Sequence, residues 1–460
     1  MAPTPAKPLT AGRTLVLGMG ATGAACARYL AAAGVPACFA DSRSAPPSLA
    51  AIRALLPAAE VFTGGIPAAL PPGVSRVVVS PGVPLGLPVL AEAAAHGVPC
   101  ESDIDLFARA AEAPVLGITG SNGKSTVTTM VGHLLAAAGA GAAVGGNLGT
   151  PALDLLSPDA RLYVLELSSF QLERSRPLPL RAATILNITP DHLDLHGDMA
   201  AYARAKGRIW LAAEVVVVNR DAPETHGLVP AGATVSGFGL AAPRGDDFGL
   251  VERDGAPWLA RGATLLLPAA ALPMAGRHNV ANALAALALV AAAGVDPVAV
   301  APALRSYVPL PHRMAVVPTT DGITWVDDSK ATNVGAAETA IRGVAGPLVL
   351  IAGGDAKGAT FEGVAAALAG RQAEVVLLGR DRELIAAALA GTCPVHRVDD
   401  IAAAVRRARE LAAPGATVLL APACSSLDMF RDYADRGTQF RAAVLATAAV
   451  ATRAAGGPAR

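Results

Sequence analysis

Residues 113–130 read Ala-Pro-Val-Leu-Gly-Ile-Thr-Gly-Ser-Asn-Gly-Lys-Ser-Thr-Val-Thr-Thr-Met. The run opens with a short apolar segment, 115–118, which has the length of a buried strand. It ends in a helical pattern that continues through Val131, Leu134 and Leu135. Between strand and helix lie the residues that we predict to bind a nucleotide phosphate: Gly120, Ser121, Asn122, Gly123, Lys124, Ser125 and Thr126.

The chemistry of this loop suits ATP. Glycines let the chain wrap closely, so that successive backbone N–H groups point at an anion, and the following helix adds its positive N-terminal end. Lys124 supplies a charge for the β- and γ-phosphates, and the hydroxyl of Ser125 or Thr126 can bind Mg²⁺. The spacing is shorter than the full Walker pattern, which would need a glycine at Ile118. The alternative is a chance glycine-rich turn, but the ordered strand, lysine, hydroxyls and helix favour ATP binding.

Composition narrows the class of protein. A chain of 460 residues suits two to four domains, and 53% hydrophobic residues supply their cores. The 37 basic side chains balance 37 acidic ones, so the net charge is zero. This balance argues against nucleic acid or an anionic membrane surface as a partner. The five cysteines are odd in number and widely spaced, which predicts reduced thiols. No signal-peptide pattern is evident and the apolar segment 281–294 is too short to cross a bilayer, so a cytoplasmic protein without membrane insertion is expected.

The N-terminal part carries a second glycine-rich loop. A strand at 13–17 runs into Gly18-Met19-Gly20-Ala21-Thr22-Gly23, a helix follows, and a second strand at 36–40 ends at Asp41. This βαβ pattern predicts that the loop binds a pyrophosphate and that Asp41 binds the nucleoside end. A redox cofactor and a sugar nucleotide such as UDP both remain possible occupants. Ser80 follows another strand, at the same predicted edge of the sheet.

The central part carries polar residues at strand ends. The segment 143–149 is interpreted as a second glycine-rich turn with Asn147 near its centre. Glu166 ends an apolar strand and resembles an acid that holds Mg²⁺, the alternative being an ordinary edge carboxylate. His192 lies in a loop between two acids after the next strand, which makes it a candidate metal ligand rather than only a solvated side chain.

Two helices add further candidates. Lys206 shares one side of the helix 199–211 with Tyr202 and Trp210. One interpretation is a lysine whose stem packs while its head stays in water. The other is a buried neutral amine that reacts with carbon dioxide to form a carbamate. Asn279 and Asn282 begin a long helix, and their amides could bind a base edge.

The C-terminal part is a third α/β segment. Its strands lead into polar clusters at 329–333, 353–358 and 422–426, and open parallel sheets bind ligands at such strand ends. The predicted fold is α/β with three domains: 1–111, Rossmann-like; 112–308, resembling a P-loop ATPase with a mostly parallel sheet; and 309–460, Rossmann-like. Residues 1–11, rich in Pro and Ala, are predicted to be disordered.

At this point five motifs resemble one family, the ATP-dependent Mur ligases of bacterial peptidoglycan synthesis. They are residues 119–126, 165–172, Asp191-His192, Pro311-His312-Arg313 and 328–333. The resemblance covers almost the whole chain and is strongest to the members that add D-glutamate. It implies a ligase in which the alanyl carboxylate of UDP-N-acetylmuramoyl-L-alanine attacks the γ-phosphate of ATP and the amine of D-glutamate then displaces phosphate. The expected partners are three small molecules: UDP-N-acetylmuramoyl-L-alanine, ATP and D-glutamate. The protein is expected to be a monomer.

The resemblance also implies roles for individual residues. It implies one Mg²⁺ on Ser125 or Thr126 and Glu166, and a second on His192 and a carbamylated Lys206. Asn147 would orient the phosphates and the substrate carboxylate. The UDP-sugar would bind Gly18–Gly23, Asp41 (on the uracil) and Ser80; ATP would further bind Asn279, Asn282, Arg313, Asp328 and Lys330; and glutamate would bind Thr332, Lys357, Ser426 and Tyr433.

Three alternatives differ in what they predict. A sister ligase would add another amino acid or L-glutamate. A non-catalytic sensor of UDP-sugar and ATP would lack catalytic residues, whereas Lys124, Glu166, His192, Lys206 and Arg313 are all present. A nicotinamide oxidoreductase would leave Lys124, Glu166 and the third domain without a function.

Overall fold

The computed structural model describes residues 12–274, 276–319 and 322–455, and the predicted disorder of residues 1–11 lies outside them. These residues form three separate, mostly parallel sheets with helices between the strands. The predicted three-part α/β fold is thereby confirmed. The chain groups into two compact units. The first contains the chain up to Ile188, Ala203–Leu272 and Val280–Tyr307, and the second contains Thr189–Tyr202, Pro273–Asn279 and the chain from Val308 on.

The first sheet has five parallel strands in the order β3-β2-β1-β4-β5. Its strands are β1 Arg13–Leu17, β2 Ala37–Asp41, β3 Glu60–Thr63, β4 Val74–Val79 and β5 Cys100–Glu101. Its helices are α1 Ala21–Ala32, α2 Leu49–Leu55, α3 Pro88–Ala95 and α4 Asp103–Ala110. Chain order reverses beside β1, so the loop after β1 and the ends of β2 and β4 meet where such sheets bind ligands.

The second sheet has nine strands in the order β14-β13-β12-β11-β10-β9-β6-β8-β7. They are β6 Val115–Thr119, β7 Ala142–Gly146, β8 Leu162–Glu166, β9 Leu180–Ile185, β10 Ala213–Asn219, β11 Thr234–Phe238, β12 Phe248–Arg253, β13 Ala256–Arg261 and β14 Thr264–Pro268. The helices of this part of the chain are α5 Lys124–Ala137, α6 Ser169–Arg174, α7 Leu193–His196, α8 Met199–Gly207, α9 Arg277–Ala292 and α10 Pro297–Val300. Strands β12, β13 and β14 pair antiparallel, whereas the other strand pairs are parallel.

The prediction of a glycine-rich turn at 143–149 is wrong for the first half of that segment. Ala142–Gly146 is strand β7, paired parallel to β8 with Gly145 opposite Leu165. A Cβ atom on Gly145 would lie 2.3 Å from the carbonyl oxygen of Thr150, so the chain needs glycine there for close approach rather than for a turn. Asn147 therefore follows a strand end.

The third sheet has six strands in the order β15-β16-β20-β17-β18-β19. They are β15 Ala315–Val317, β16 Thr324–Asp327, β17 Leu348–Gly353, β18 Ala373–Leu378, β19 Val395–Arg397 and β20 Thr417–Leu420. Its helices are α11 Val334–Gly343, α12 Glu362–Leu368, α13 Arg382–Ala388, α14 Ile401–Leu411 and α15 Tyr433–Ala455. The apolar side chains of β17, β18 and β20 alternate between two buried clusters, one on each face. Both faces are covered, as expected for parallel strands.

Two predictions about the whole chain can be compared with these elements. None of the helices among the described residues combines the length and apolarity needed to cross a bilayer. All five cysteines are free thiols, which confirms the prediction of an unpaired set.

Candidate functional site

The predicted phosphate loop joins β6 to α5. It leaves the strand after Thr119, and helix α5 begins at Lys124. Gly123 has a φ of +84°, a left-handed conformation that favours glycine. The Lys124 ammonium donates hydrogen bonds to the carbonyl oxygens of Gly120 at 2.8 Å and Ser121 at 2.9 Å. The loop therefore holds its positive charge directly beside the N-terminus of a helix, which is the arrangement that favours a phosphate.

Asn187, which sequence reasoning missed, ties this loop to the end of the neighbouring strand β9. Its carbonyl oxygen accepts from the Ser121 N–H at 2.9 Å. Its side-chain oxygen accepts from the Asn122 N–H at 2.9 Å, and its amide donates to the Asn122 carbonyl at 3.1 Å. The signal that was available is an amide residue just after an apolar strand.

Glu166 and Asn147 form a pair at the ends of β8 and β7. Glu166 is 3% exposed, and its Oε1 accepts a hydrogen bond from the Asn147 side chain at 2.8 Å. Its Oε2 is buried and has no hydrogen-bond partner among the described residues. Since an unpaired carboxylate oxygen is costly to bury, Glu166 fits a cation that completes its coordination.

A metal at this position would need ligands besides carboxylates. Among the residues that the structure describes, no three His, Cys, Asp or Glu side chains group closely enough to hold an ion. The hydroxyl-bearing Ser125 and Thr126 follow Lys124 in the first turn of α5, and both are buried. Together with substrate oxygens, they supply the kind of oxygen ligand that Mg²⁺ binds.

Lys206 is buried rather than solvated. It is 1% exposed, and its Nζ donates to the Gly120 carbonyl at 2.9 Å. The interpretation of a packed stem with a head in water is therefore wrong, because the tertiary fold brings the head against the phosphate loop. The same Gly120 oxygen accepts from Lys124.

Asn282, one of the predicted adenine-side residues, also lies at this loop. A Cβ atom on Gly123 would come within 2.7 Å of its Oδ1. Asn279 stands three residues earlier on the same helix, α9, and is 7% exposed.

A cavity of about 600 Å³ lies at the carboxyl edge of the first sheet. It is lined by most of the residues predicted for the UDP-sugar, namely Gly18, Gly20, Ala21, Thr22, Asp41, Ser80 and Asn147. Met19 and Gly23 instead shape the loop: the Met19 side chain is fully buried, and a Cβ atom on Gly23 would lie 2.1 Å from the Gly18 carbonyl oxygen.

Asp41 is held by its surroundings as an ionised carboxylate. Arg43 donates to both of its oxygens through Nε and Nη2, at 2.9 and 2.7 Å, and the Met19 N–H donates at 2.7 Å. The Arg43 side-chain hydrogen bonds, more than any other interaction, hold the pKa of Asp41 well below its usual range. Asp41 thus fixes the loop after β1 while lining the cavity.

Sequence reasoning missed four polar residues of this cavity: Ser42, Arg43, Asp103 and Gln171. Arg43 could have been found, since it stands two residues after the predicted acid. Asp103 is the first residue of α4, and Gln171 lies within α6. Both reach the cavity only through tertiary packing, which the local sequence does not show.

In the second unit, two of the residues predicted for the ribose and γ-phosphate, Asp328 and Lys330, follow the end of β16, whereas Arg313 precedes β15. Asp328 is 9% exposed, and burial raises its pKa to about 7, although the Met314 N–H and the Arg313 charge act in the opposite direction. The Lys330 ammonium lies 3.9 Å from the centre of the Tyr433 ring. Tyr433 thus contacts a predicted ATP residue.

A separate cluster contains part of the predicted glutamate site. The Lys357 ammonium forms a 2.7 Å ion pair with Asp191, whose other oxygen accepts from the Asn333 amide at 3.1 Å. Thr332 and His192 line the same small cavity. Ser426 and Tyr433 do not line it; the Ser426 carbonyl instead accepts from the N–H groups of Met429 and Phe430.

These sheets and loops define an α/β protein of the P-loop nucleotide-binding class, with a further ligand cavity on a Rossmann-like domain. Three family models match in succession: "Mur ligase MurD-like, N-terminal domain" over residues 12–102, "Mur ligase middle domain" over 118–290 and "Mur ligase, glutamate ligase domain" over 312–424. The chain belongs to the Mur ligase family.

Similar proteins extend over nearly the whole chain. A UDP-N-acetylmuramoylalanine--D-glutamate ligase from Pseudomonas aeruginosa is 49% identical over 94% of this chain and 97% of its own. One from Nitrosococcus oceani is 47% identical over 96% and 98%.

Solved structures share the fold at low identity. The UDP-N-acetylmuramate-alanine ligase of Thermotoga maritima has a TM-score of 0.60 at 19% identity, covering 95% of this chain and 100% of its own. The Thermotoga maritima MurF ligase in complex with ADP has a TM-score of 0.55 at 18% identity, covering 82% and 90%.

Proposed function

We propose that this chain is an ATP-dependent ligase that joins D-glutamate to UDP-N-acetylmuramoyl-L-alanine in peptidoglycan precursor synthesis. One geometric observation carries the proposal. Asn147 donates to Glu166, at the end of the strand beside the phosphate-loop strand, and also lines the cavity of the first sheet. A single amide thereby connects a nucleotide-triphosphate loop with a nucleotide-sugar cavity, as transfer of a phosphoryl group to that sugar's carboxylate requires.

The reaction brings several anions together. The alanyl carboxylate attacks the γ-phosphorus of ATP, ADP leaves, and the glutamate amine then displaces phosphate from the acyl phosphate to form the amide. Unit charges a few Å apart repel by several kcal/mol at a protein-like dielectric constant, about 4 kcal/mol at 4 Å. The Lys124 ammonium neutralises part of the negative charge on the β- and γ-phosphate oxygens, and the backbone N–H groups of the loop donate hydrogen bonds to these oxygens.

Magnesium fits the residues that surround this loop. Ser125 or Thr126 and Glu166 would hold one ion, since Glu166 has a buried unpaired oxygen, and the ion would neutralise the phosphate oxygens when bound. Asn147 orients Glu166 for this task through its hydrogen bond. A second ion on His192 and a carbamylated Lys206 is part of the proposal.

Residues of both units are assigned to the remaining parts of ATP and to glutamate. Arg313, Asp328 and Lys330 of the second unit would bind the γ-phosphate and ribose. Asn279 of the second unit and Asn282 of the first would bind the adenine. Thr332, Lys357, Ser426 and Tyr433 would bind the two carboxylates of glutamate. The Lys357 ammonium has three N–H donors, so besides its ion pair with Asp191 it could also bind a glutamate carboxylate.

Carbamylation of Lys206 is supported by its burial against the Gly120 carbonyl. A carbamate would replace a cation near the substrate carboxylate by an anionic oxygen ligand. We expect Lys206→Ala to lose activity and added short carboxylic acids to restore part of it, because they supply the missing oxygens. Phosphate release in the presence and absence of formate or acetate measures this. Full activity of the untreated variant would contradict the role.

The function is tested by phosphate release from ATP in the presence of UDP-N-acetylmuramoyl-L-alanine and a panel of amino acids. D-Glutamate should give release far above the control without an acceptor, whereas other amino acids should not. If another amino acid were preferred, the chain would be a sister ligase. If none supported release while both nucleotides bound, it would be a sensor.

A further inference from the structure

Asp103 is a buried acid in the first-sheet cavity that no part of the proposed mechanism uses. It is the first residue of α4, is 2% exposed, and lines the cavity together with Asp41, Asn147 and Gln171. An acid at this position is unexpected in a cavity that is meant to receive a diphosphate and a carboxylate.

Another acid, Asp105, takes part in capping the N-terminus of this helix. Its Oδ2 accepts from the backbone N–H and the hydroxyl of Ser102, and its Oδ1 accepts from the Arg176 N–H. The Ser102 side chain accepts from the Asp105 N–H in return, which completes a capping box. The capping box is therefore formed by Ser102 and Asp105 and does not include the Asp103 side chain.

The Asp103 carboxyl, by contrast, is incompletely paired. Its Oδ1 is buried and has no hydrogen-bond partner among the described residues. A buried polar atom without a partner is destabilising, and such atoms are found where a ligand completes the pairing. This atom points to a ligand independently of the helix end on which it stands.

Burial also sets the protonation of this group. It raises the pKa of Asp103 to about 7, while the N–H groups of Asp103 and Ile104 lower it and the neighbouring Asp105 charge raises it. Near neutral pH the carboxyl can thus carry a proton and donate a hydrogen bond as well as accept one. A neutral acid is compatible with nearby phosphates, whereas an ionised one would repel them.

We propose that Asp103 hydrogen-bonds a hydroxyl or the N-acetyl N–H of the amino sugar in the UDP-sugar substrate, and so fixes the sugar between its two ends. The other parts of that substrate are already matched: the glycine loop suits the diphosphate, Asp41 the uracil, and Asn147 the reacting carboxylate. The sugar is the remaining part, and its O–H and N–H groups are what an unpaired carboxyl binds. This inference rests on the proposed function.

The test compares two ligands that differ in the sugar. The affinities of UDP-N-acetylmuramoyl-L-alanine and of UDP alone are measured by titration calorimetry for the full chain, Asp103→Ala and Asp103→Asn. The inference predicts that Asp103→Ala weakens binding of the sugar nucleotide about tenfold, as the loss of one buried hydrogen bond does, and leaves UDP affinity unchanged. Asp103→Asn, which keeps one acceptor, should lose less.

Asp105→Asn is the matched control, because Asp105 is a buried acid of the same helix turn that does not line the cavity. It should lower thermal stability without a selective loss of the sugar nucleotide. Equal loss of both ligands, or no loss of the sugar nucleotide, in the Asp103 variants would overturn the inference. If the unmodified chain itself failed to bind or ligate the sugar nucleotide, the proposed function would fall instead. If Asp103→Ala does not fold, Asp103→Asn decides between these outcomes.

Discussion

Two lysines, Lys124 and Lys206, donate to one backbone oxygen, that of Gly120. Residues 82 positions apart are thus held at the same turn. The two amines differ in surroundings, because Lys206 is 1% exposed whereas Lys124 is only partly buried. We therefore assign them different roles: Lys124 as a cation for the phosphates and Lys206 as the proposed carbamate. The phosphate loop therefore depends on side chains from two different elements.

Lys124→Ala should lower kcat by about 10²–10³-fold, the usual effect of removing one group that stabilises transition-state charge. Steady-state kinetics of ADP formation measure the effect. Arg53→Ala, which removes an exposed cation of α2, is the control and should change kcat little. A Lys124→Ala enzyme with unchanged kcat would mean that the loop does not bind the transferred phosphate.

Asp103→Asn should raise the melting temperature relative to the unmodified chain more at about pH 8 than at about pH 5. Burial raises the pKa of Asp103 in the folded chain to about 7, above its ordinary value of 3.8, so the contribution of this acid to folding stability falls as pH rises between these two values. Asparagine does not ionise, so Asp103→Asn removes this decrease in stability. The neighbouring Asp105 and the Cys26 thiol on α1, which also feel this charge, are the same in both proteins. Thermal melts in matched buffers measure the difference, and a pH-independent difference would contradict the assignment.

In the first βαβ unit, helix α1 lies so close to the preceding loop that a side chain cannot fit between them. Gly23 stands on α1, and a Cβ atom there would lie 2.1 Å from the Gly18 carbonyl oxygen. Gly20, three residues earlier, would have nothing within 4 Å of its added Cβ atom. The two glycines thus have different reasons to be glycine, although the sequence pattern does not distinguish them.

Gly23→Ala should therefore destabilise the first domain by about 1–3 kcal/mol, the usual cost of overpacking. Gly20→Ala, tested only for stability, should be nearly neutral because its added methyl group meets no atom. Thermal unfolding of both variants checks this. Equal melting temperatures for the two would show that the helix is not packed against the loop as described.

The strands with long apolar runs could be predicted from sequence, whereas those with other signals could not. β6 and β8 were predicted because both of their faces are buried and their residues are almost all apolar. The antiparallel strands β12 to β14 were missed, since they are partly exposed and their pattern is weak. β7 was missed because glycine was interpreted as a turn signal when it served close packing.

The candidate site shows the same division. Residues inside local motifs, such as Lys124 and Asp41, could be found because strand, loop and helix follow one another in the chain. The burial of Lys206 and the pairing of Lys357 with Asp191 could not, because they join segments 86 and 166 residues apart. No spacing pattern reports such contacts, which arise only when the sheets have formed.

For the whole molecule, each sheet presents polar groups at the carboxyl ends of its parallel strands. The first presents a nucleotide cavity, the second a phosphate loop, and the third the cluster around Asp328. Three substrates and three edges agree in number with a ligase that uses a sugar nucleotide, ATP and an amino acid. The family membership supports the same division of the chain.

The most direct test supplies the enzyme with UDP-N-acetylmuramoyl-L-alanine, ATP and racemic glutamate, and analyses the handedness of the glutamate in the isolated product. We predict a single amide product that contains D-glutamate, formed with one ADP and one phosphate per molecule. A product containing L-glutamate or both forms, or ATP consumption without any amide product, would contradict the proposed reaction.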